Sequence, residues 1–183
     1  MDVIDAIMER RSVRRFKPDR IPEGDIDKIV EAVRMAPSWA NTQCWELILV
    51  YDEGTRKRLS EEIFPGGNPA QKGLVEAPVV LVALGKEKVA GAYKGEFITD
   101  KGDWFMYDVG VAMQNVCLTA KGLGLGTVHV GAFDAKKTEE ILGVPEGVRV
   151  VALTPLGYPA KEGGAPPRKE TGEFVFKDGY GKK

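Results

Sequence analysis

From residue 104 to residue 121 the chain is apolar on nearly every side. Val109, Ala112, Met113, Val116 and Ala120 share one face at helical spacing, and Phe105, Val111 and Leu118 lie off it. Asp103 precedes the run as a candidate cap, and Gly122-Leu123-Gly124-Leu125-Gly126 ends it. A helix with no polar face must be covered all round, by the chain's own core or by a second subunit. The flanking sequence offers the cover. Apolar runs at 46–51, 78–84 and 148–156 read as buried strands, and 127–130 reads as a shorter one. Strands alternate with helices, so both faces of a sheet are protected.

Further helices are predicted. One runs over 2–8, with Asp2 as cap and Val3, Ile4, Ile7 and Met8 on one face. A second opens at Ile21-Pro22-Glu23, carries Ile26, Ile29, Val30 and Val33 as a stripe, and stops at Pro37. The third is capped by Asp134 and stops at Gly143. A charged surface helix is expected over 53–63, and a last strand-like run over 173–176. Residues 85–103 have no strong period and read as a loop or lid. With 183 residues, 43% hydrophobic, the chain has enough apolar material for one full core, and no linker divides it.

Net charge is −1, which gives no global basic field for nucleic acid or membrane. No apolar run approaches the ~20 residues of a membrane span. Met1 is followed at once by Asp2 in a mixed pattern, so no signal peptide is expected. Two cysteines far apart, Cys44 and Cys117, fit buried thiols in a reduced, cytoplasmic chain. One histidine and two distant cysteines give no metal-ligand spacing, so no metal is expected.

Against this neutral background the basic charge is local. Arg10, Arg11, Arg14, Arg15, Lys17 and Arg20 face only Asp19 within residues 10–20. Arginine forks match phosphate oxygens, and Ser12 adds a donor, so the stretch is a candidate phosphate clamp; a solvated basic face is the plainer alternative. The loop from Ala36 to Trp45 offers Ser38, Asn41 and Gln43 as polar groups beside Trp39 and Trp45. The glycines 122, 124 and 126 follow a helix and precede a strand, the reverse of a dinucleotide fingerprint, so they read as a helix stop. His129 reads as a packed residue near a pocket, and Cys44 has no partner histidine nearby in sequence. No catalytic acid or base is assigned; an enzyme built this way would rely on a cofactor.

Four stretches in this order resemble the nitroreductase family of FMN-dependent oxidoreductases over nearly the whole chain. They are Arg10-Arg11-Ser12-Val13-Arg14, the Ala36–Trp45 loop, the buried helix with its glycine end leading to the loop at 131–133, and Arg168 or Lys169 near the C-terminus. The resemblance implies an α+β fold, with a mixed central sheet covered by helices, working as an intertwined homodimer with FMN at the interface. Residues 163–183 would reach over the partner.

The resemblance also implies roles. Arg10, Arg11, Ser12 and Arg168, with Lys169 beside it, would hold the phosphate and ribityl chain. Arg14, and Lys72 near it, would face the pyrimidine edge. Pro37, Ser38, Trp39 and Asn41 would come from the other subunit and line the ring. Gly131 and Ala132 would present N–H groups towards N5, beside His129 and Val130. NADH or NADPH would supply hydride to the flavin, and a nitroaromatic or quinone would accept it in ping-pong order. Cys44 stands where the family pattern has proline, and Trp39 where a small residue is common. The alternatives are a specialised relative (a dehalogenase, a flavin-fragmenting or a deazaflavin-linked enzyme) and a nucleic-acid-binding module using residues 10–20.

Overall fold

Leu81 is buried in one of the two inner strands of a four-stranded sheet with a helical layer on each side. The computed structural model describes residues 1–161 and 163–182. In chain order the elements are α1 (Val3–Glu9), α2 (Glu23–Arg34), β1 (Trp45–Val50), α3 (Glu53–Glu62), α4 (Gln71–Glu76) and β2 (Val79–Lys86). Then come β3 (Ala92–Tyr93), β4 (Glu96–Phe97), α5 (Phe105–Gly122), β5 (Gly126–Thr127), α6 (Ala135–Leu142) and β6 (Val148–Gly157). The main sheet has the order β1-β2-β6-β5, and every pair of strands in it is antiparallel. The parallel component expected of a mixed sheet is confined to a single bridge, Ser12 beside Thr127.

Side chains alternate across a strand, so β2 feeds two cores. Val79, Leu81 and Ala83 face α2 and α5, where Ile26, Ile29, Val33, Val109, Ala112, Met113 and Val116 pack. Val80, Val82 and Leu84 face the other way, onto Leu59, Ile63, Leu74, Val128, Val130 and Leu153. This two-sided burial is why 78–84 reads as a continuous apolar run rather than an alternating one. Truncating a fully buried residue such as Leu81 or Ile29 to alanine costs about 2–5 kcal/mol.

The helix ends follow their local chemistry. The Asp2, Asp52 and Asp134 carboxylates accept from the N–H groups of Asp5, Thr55 and Lys137 at 2.9, 2.7 and 2.9 Å. Each such cap contributes about 1 kcal/mol. Gly143 ends α6 with φ 66°, the left-handed conformation that suits a residue without a Cβ.

Several expectations are corrected. The apolar face of α1 is not buried: Val3, Ile4, Ile7 and Met8 are exposed, and Ala6 is the residue that goes inside. In α2 the stripe buries Ile26, Ile29 and Val33 but leaves Val30 outside. Asp103 is not the first residue before α5; Trp104 is, while the Asp103 carboxylate accepts from the N–H groups of Phe105 and Lys88 at 3.2 and 2.6 Å. The 85–103 stretch begins inside β2 and holds the β3–β4 hairpin. Its base is tied by Trp104 Nε1 donating to Thr99 Oγ1 at 3.0 Å and by Trp104 N donating to Ala90 O at 3.1 Å.

The 173–176 run is not a strand. Thr171–Glu173 forms a short 3₁₀ turn, because Glu173 accepts from the Glu170 N–H at 2.8 Å and that local bond replaces sheet pairing. Among the described residues no helix is long and apolar enough to cross a membrane.

Candidate functional site

Beyond Arg10 the chain leaves α1 in an extended conformation and runs along the β5 edge of the sheet. Val13 N donates to Thr127 O at 2.9 Å, Lys17 N to Tyr158 O at 2.9 Å, and Ala160 N to Arg15 O at 3.0 Å. The approach is close because residue 126 is glycine: a Cβ there would lie 2.6 Å from Val13 Cγ2. Between this segment, the C-terminal end of α5 and the start of the tail lies a cleft of about 510 Å³. Arg10, Arg11, Lys121, Thr127, Gly163 and Ala165 line it. The tail does return to the clamp, since a Cβ on Gly163 would meet Ser12 O at 3.1 Å.

The four arginines of residues 10–15 are not equivalent. Arg15 is spent on Glu76, with Nε at 2.8 and 2.9 Å from its two oxygens and Nη2 at 2.7 Å. The Arg15 hydrogen bond holds the Glu76 carboxyl below its usual range, with burial opposing and the Phe16 N–H assisting. Arg11 folds back so that Nη1 donates to Met8 O at 2.7 Å and Arg10 O at 2.9 Å. No carboxylate pairs with Arg10, Arg11 or Arg14 among the described residues, whereas Lys121 at the cleft is held by Glu9 at 3.1 Å.

Next to the clamp, β5 leads to His129. Its Nε2 lies 3.2 Å from Cys117 Sγ and its Nδ1 2.8 Å from Thr154 Oγ1. Part of the residue is open to solvent, but both nitrogens are turned inwards onto these partners. Burial, and then the Arg10 charge, push the imidazole pKa down. Burial pushes the Cys117 thiol up, against the Thr127 hydroxyl that donates to it at 3.3 Å. Val130 rejoins the sheet through Leu153, and Gly131 and Ala132 then emerge at the surface. No acceptor for the Gly131 or Ala132 N–H occurs among the described residues, while the Ala132 carbonyl accepts from Asn68 Nδ2 at 3.3 Å. Gly73 packs on the Arg14 carbonyl, which brings α4 and the exposed Lys72 beside Arg14.

Pro37, Ser38, Trp39 and Asn41 are elsewhere. Their loop sits at the N-terminal end of α5, where Trp39 N donates to both oxygens of Asp108 at 3.0 and 3.1 Å. Ser38 Oγ accepts from Gln43 N at 2.9 Å. Ala40, Asn41 and Gln43 have φ of 44°, 57° and 49°, and the left-handed region costs a residue with a side chain roughly 1–2 kcal/mol. Cys44 is fully buried with Sγ 3.6 Å from Asp108, and burial, followed by that carboxylate, pushes its thiol up to about 12. At 1.5 Å per residue, Asp108 and the clamp-side Lys121 are about 20 Å apart along α5. One chain therefore keeps the loop and the clamp at opposite ends of the same helix. Arg168 is exposed and directs Nη1 at the Pro166 and Pro167 carbonyls, at 3.4 and 3.5 Å, and neither Arg168 nor Lys169 lines the cleft. No group of three or more potential metal ligands occurs among the described residues.

The family model described as "Nitroreductase family" matches residues 7–158, which span the clamp, the 37–45 loop and the whole sheet. The chain belongs to the nitroreductase family. It is 32% identical to a protein of Thermus thermophilus named NADH dehydrogenase, with 89% of each chain covered. It is 31% identical to an FMN reductase [NAD(P)H] of Bacillus subtilis, over 91% of this chain and 70% of that one. Among solved structures, a nitroreductase family protein from Clostridium novyi superposes with a TM-score of 0.78 at 28% identity, covering 100% of this chain and 96% of the other.

Within this nitroreductase-family chain, three participants were not expected from sequence: Asp108, Lys121 and Asn68. Asp108 left a signal, as the one acidic residue of a largely apolar helix, on the buried stripe one turn from Ala112. The others are ordinary polar residues whose placement depends on contacts distant in sequence.

Proposed function

We propose that this chain is an FMN-dependent oxidoreductase that moves hydride from NAD(P)H to a small planar acceptor, a nitroaromatic or a quinone, in ping-pong order. The observation that carries this reading is the pairing, on one sheet edge, of arginines with two N–H groups, the former without a carboxylate and the latter without an acceptor among the described residues. A flavin mononucleotide asks for both. Its phosphate needs cations and hydroxyl donors, which Arg10, Arg11 and Ser12 supply. Arg168 and Lys169, on the tail that crosses Ser12, add charge for the same phosphate. The ring needs donors at its edge, which Gly131 and Ala132 supply beside His129 and Val130. Arg14, with Lys72 close by, puts positive charge where the pyrimidine edge would gather negative charge. The cleft volume of about 510 Å³ falls in the usual range for such sites, ~300–1,000 Å³.

When bound, FMN supplies the two-electron chemistry, taking hydride from the nicotinamide and delivering it to the acceptor in a second half-reaction. The protein's part is to hold, orient and exclude water; no side chain has to act as acid or base. Trp39, where the family has a small residue, narrows the slot over the ring.

The complete site takes two chains. The loop at 37–43 is about 20 Å along α5 from the clamp, so a two-fold pairing lets one chain's loop meet its partner's clamp. The exposed Val3, Ile4, Ile7 and Met8 of α1, and Met106 and Tyr107 of α5, give such a pairing an apolar surface.

An absorption spectrum of the purified chain tests the reading. Oxidised-flavin bands that bleach on anaerobic addition of NADH or NADPH are expected. A colourless protein that takes up no added FMN would overturn it, as would full FMN retention by Arg10→Ala with Arg11→Ala.

A further inference from the structure

We propose that Asp108 is a positioning residue for the flavin ring, acting through the Trp39 N–H to hold the 37–43 loop in the shape that lines the ring. The inference rests on the flavin reading above. Asp108 is 1% exposed, inside a helix that is otherwise apolar at that level. No lysine, arginine or histidine pairs with it among the described residues. Among the described residues its side-chain partners are all at the loop: the Trp39 N–H at 3.0 and 3.1 Å and the Cys44 thiol at 3.6 Å. A buried carboxylate without a counter-ion contributes little to packing, and an apolar residue would fill this site more favourably. Its use lies in the loop it grips.

That loop needs gripping. Ala40, Asn41 and Gln43 are held at positive φ although none is glycine, and such conformations persist only where the surroundings over-determine them. Inside the loop the restraints are short-range: Ser38 Oγ to Gln43 N, Gln43 Nε2 to Asn41 Oδ1, and one turn of backbone bonds. Asp108 is the anchor that ties this turn to the core. Cys44 belongs to the same device. A proline there has no donor to give Asp108, whereas the thiol, fully buried and remaining protonated, does. The departure from the family pattern at Cys44 and the buried acid at Asp108 are two halves of one contact.

The test uses the full chain reconstituted with FMN, as wild type, Asp108→Ala and Asp108→Asn. Two quantities are read: FMN affinity by fluorescence titration, and the visible circular dichroism of the bound flavin, which reports the ring's surroundings rather than the phosphate's. Asp108→Ala is expected to weaken FMN about ten-fold and to lower the visible dichroism by about half or more. Asp108→Asn keeps an oxygen for the Trp39 N–H and restores most of the signal. Wild-type affinity and dichroism in the alanine chain would overturn the proposal while leaving the flavin reading intact. A wild-type chain that binds no FMN would remove the flavin reading and this proposal together. Should the alanine chain fail to fold, amide exchange on the wild-type holoenzyme decides. Trp39 protected by about 100-fold or more supports the anchor, and exchange at the unprotected rate overturns it.

Discussion

Ser12 and Thr127 lie side by side in a parallel bridge, and the Val13 N–H donates to the Thr127 carbonyl at 2.9 Å. The arginine segment is therefore registered against the sheet rather than left to follow α1, whose apolar face is unburied in the single chain. Gly126 makes the register possible. Gly126→Ala puts a methyl 2.6 Å from Val13 Cγ2, and overpacking of this kind costs about 1–3 kcal/mol. The substitution is expected to lower the urea midpoint and to weaken FMN, because the arginines move with Val13. Denaturation and FMN titration of the same variant check both.

The Arg15–Glu76 pair should be felt in acid. Glu76 titrates below the ordinary carboxylate value in the fold, so its contribution is fully present above the unfolded value and is lost as pH falls through the depressed one. The pair is largely solvated, so its worth is small. Glu76→Gln is expected to lower stability slightly at neutral pH and to flatten the decline of stability in acid, as chemical denaturation at several pH values would show.

The His129 imidazole is displaced the same way, below the ordinary imidazole value, chiefly by burial. As pH falls through that region the unfolded chain takes a proton that the fold resists, so stability declines. Replacing His129 with Gln should reduce the loss measured between about pH 7.5 and about pH 5.5. An unchanged loss would place the titrating group elsewhere.

The exposed apolar face of α1 should be an assembly surface. Ile4→Asp with Ile7→Asp introduces two charges on it while leaving the buried Ala6 in place. Light scattering is expected to give a dimer for the wild type and a single chain mass for the variant, with FMN released as the site is halved. A monomeric wild type that still binds FMN tightly would contradict the two-chain site.

Much of the fold was legible because its determinants are local. The caps at Asp2 and Asp134 and the stop at Gly143 act within a turn of their own helices. The strands of residues 45–50, 79–86 and 148–157 read correctly because their apolar runs carry the signature in consecutive residues, most fully in 79–86, where every residue but Lys86 is buried. The tail misread as strand shows the limit: Phe174 and Val175 are apolar, but Glu173 closes a local turn before any partner strand is met.

The candidate site divides along the same line. The sequence by itself determined the chemistry on offer: a cluster of arginines with a serine, a polar loop between tryptophans, a glycine and an alanine after a short strand, and an all-apolar helix needing cover. Side-chain type and helical or strand period are properties of neighbouring residues, and neighbours are written in order. Which arginine is spent on Glu76, and that Asp108 holds Trp39 across 69 residues of chain, were decided only by tertiary structure. Those outcomes depend on which groups the packed sheet brings within hydrogen-bond reach, and the energies that choose among them exist only once the chain has closed.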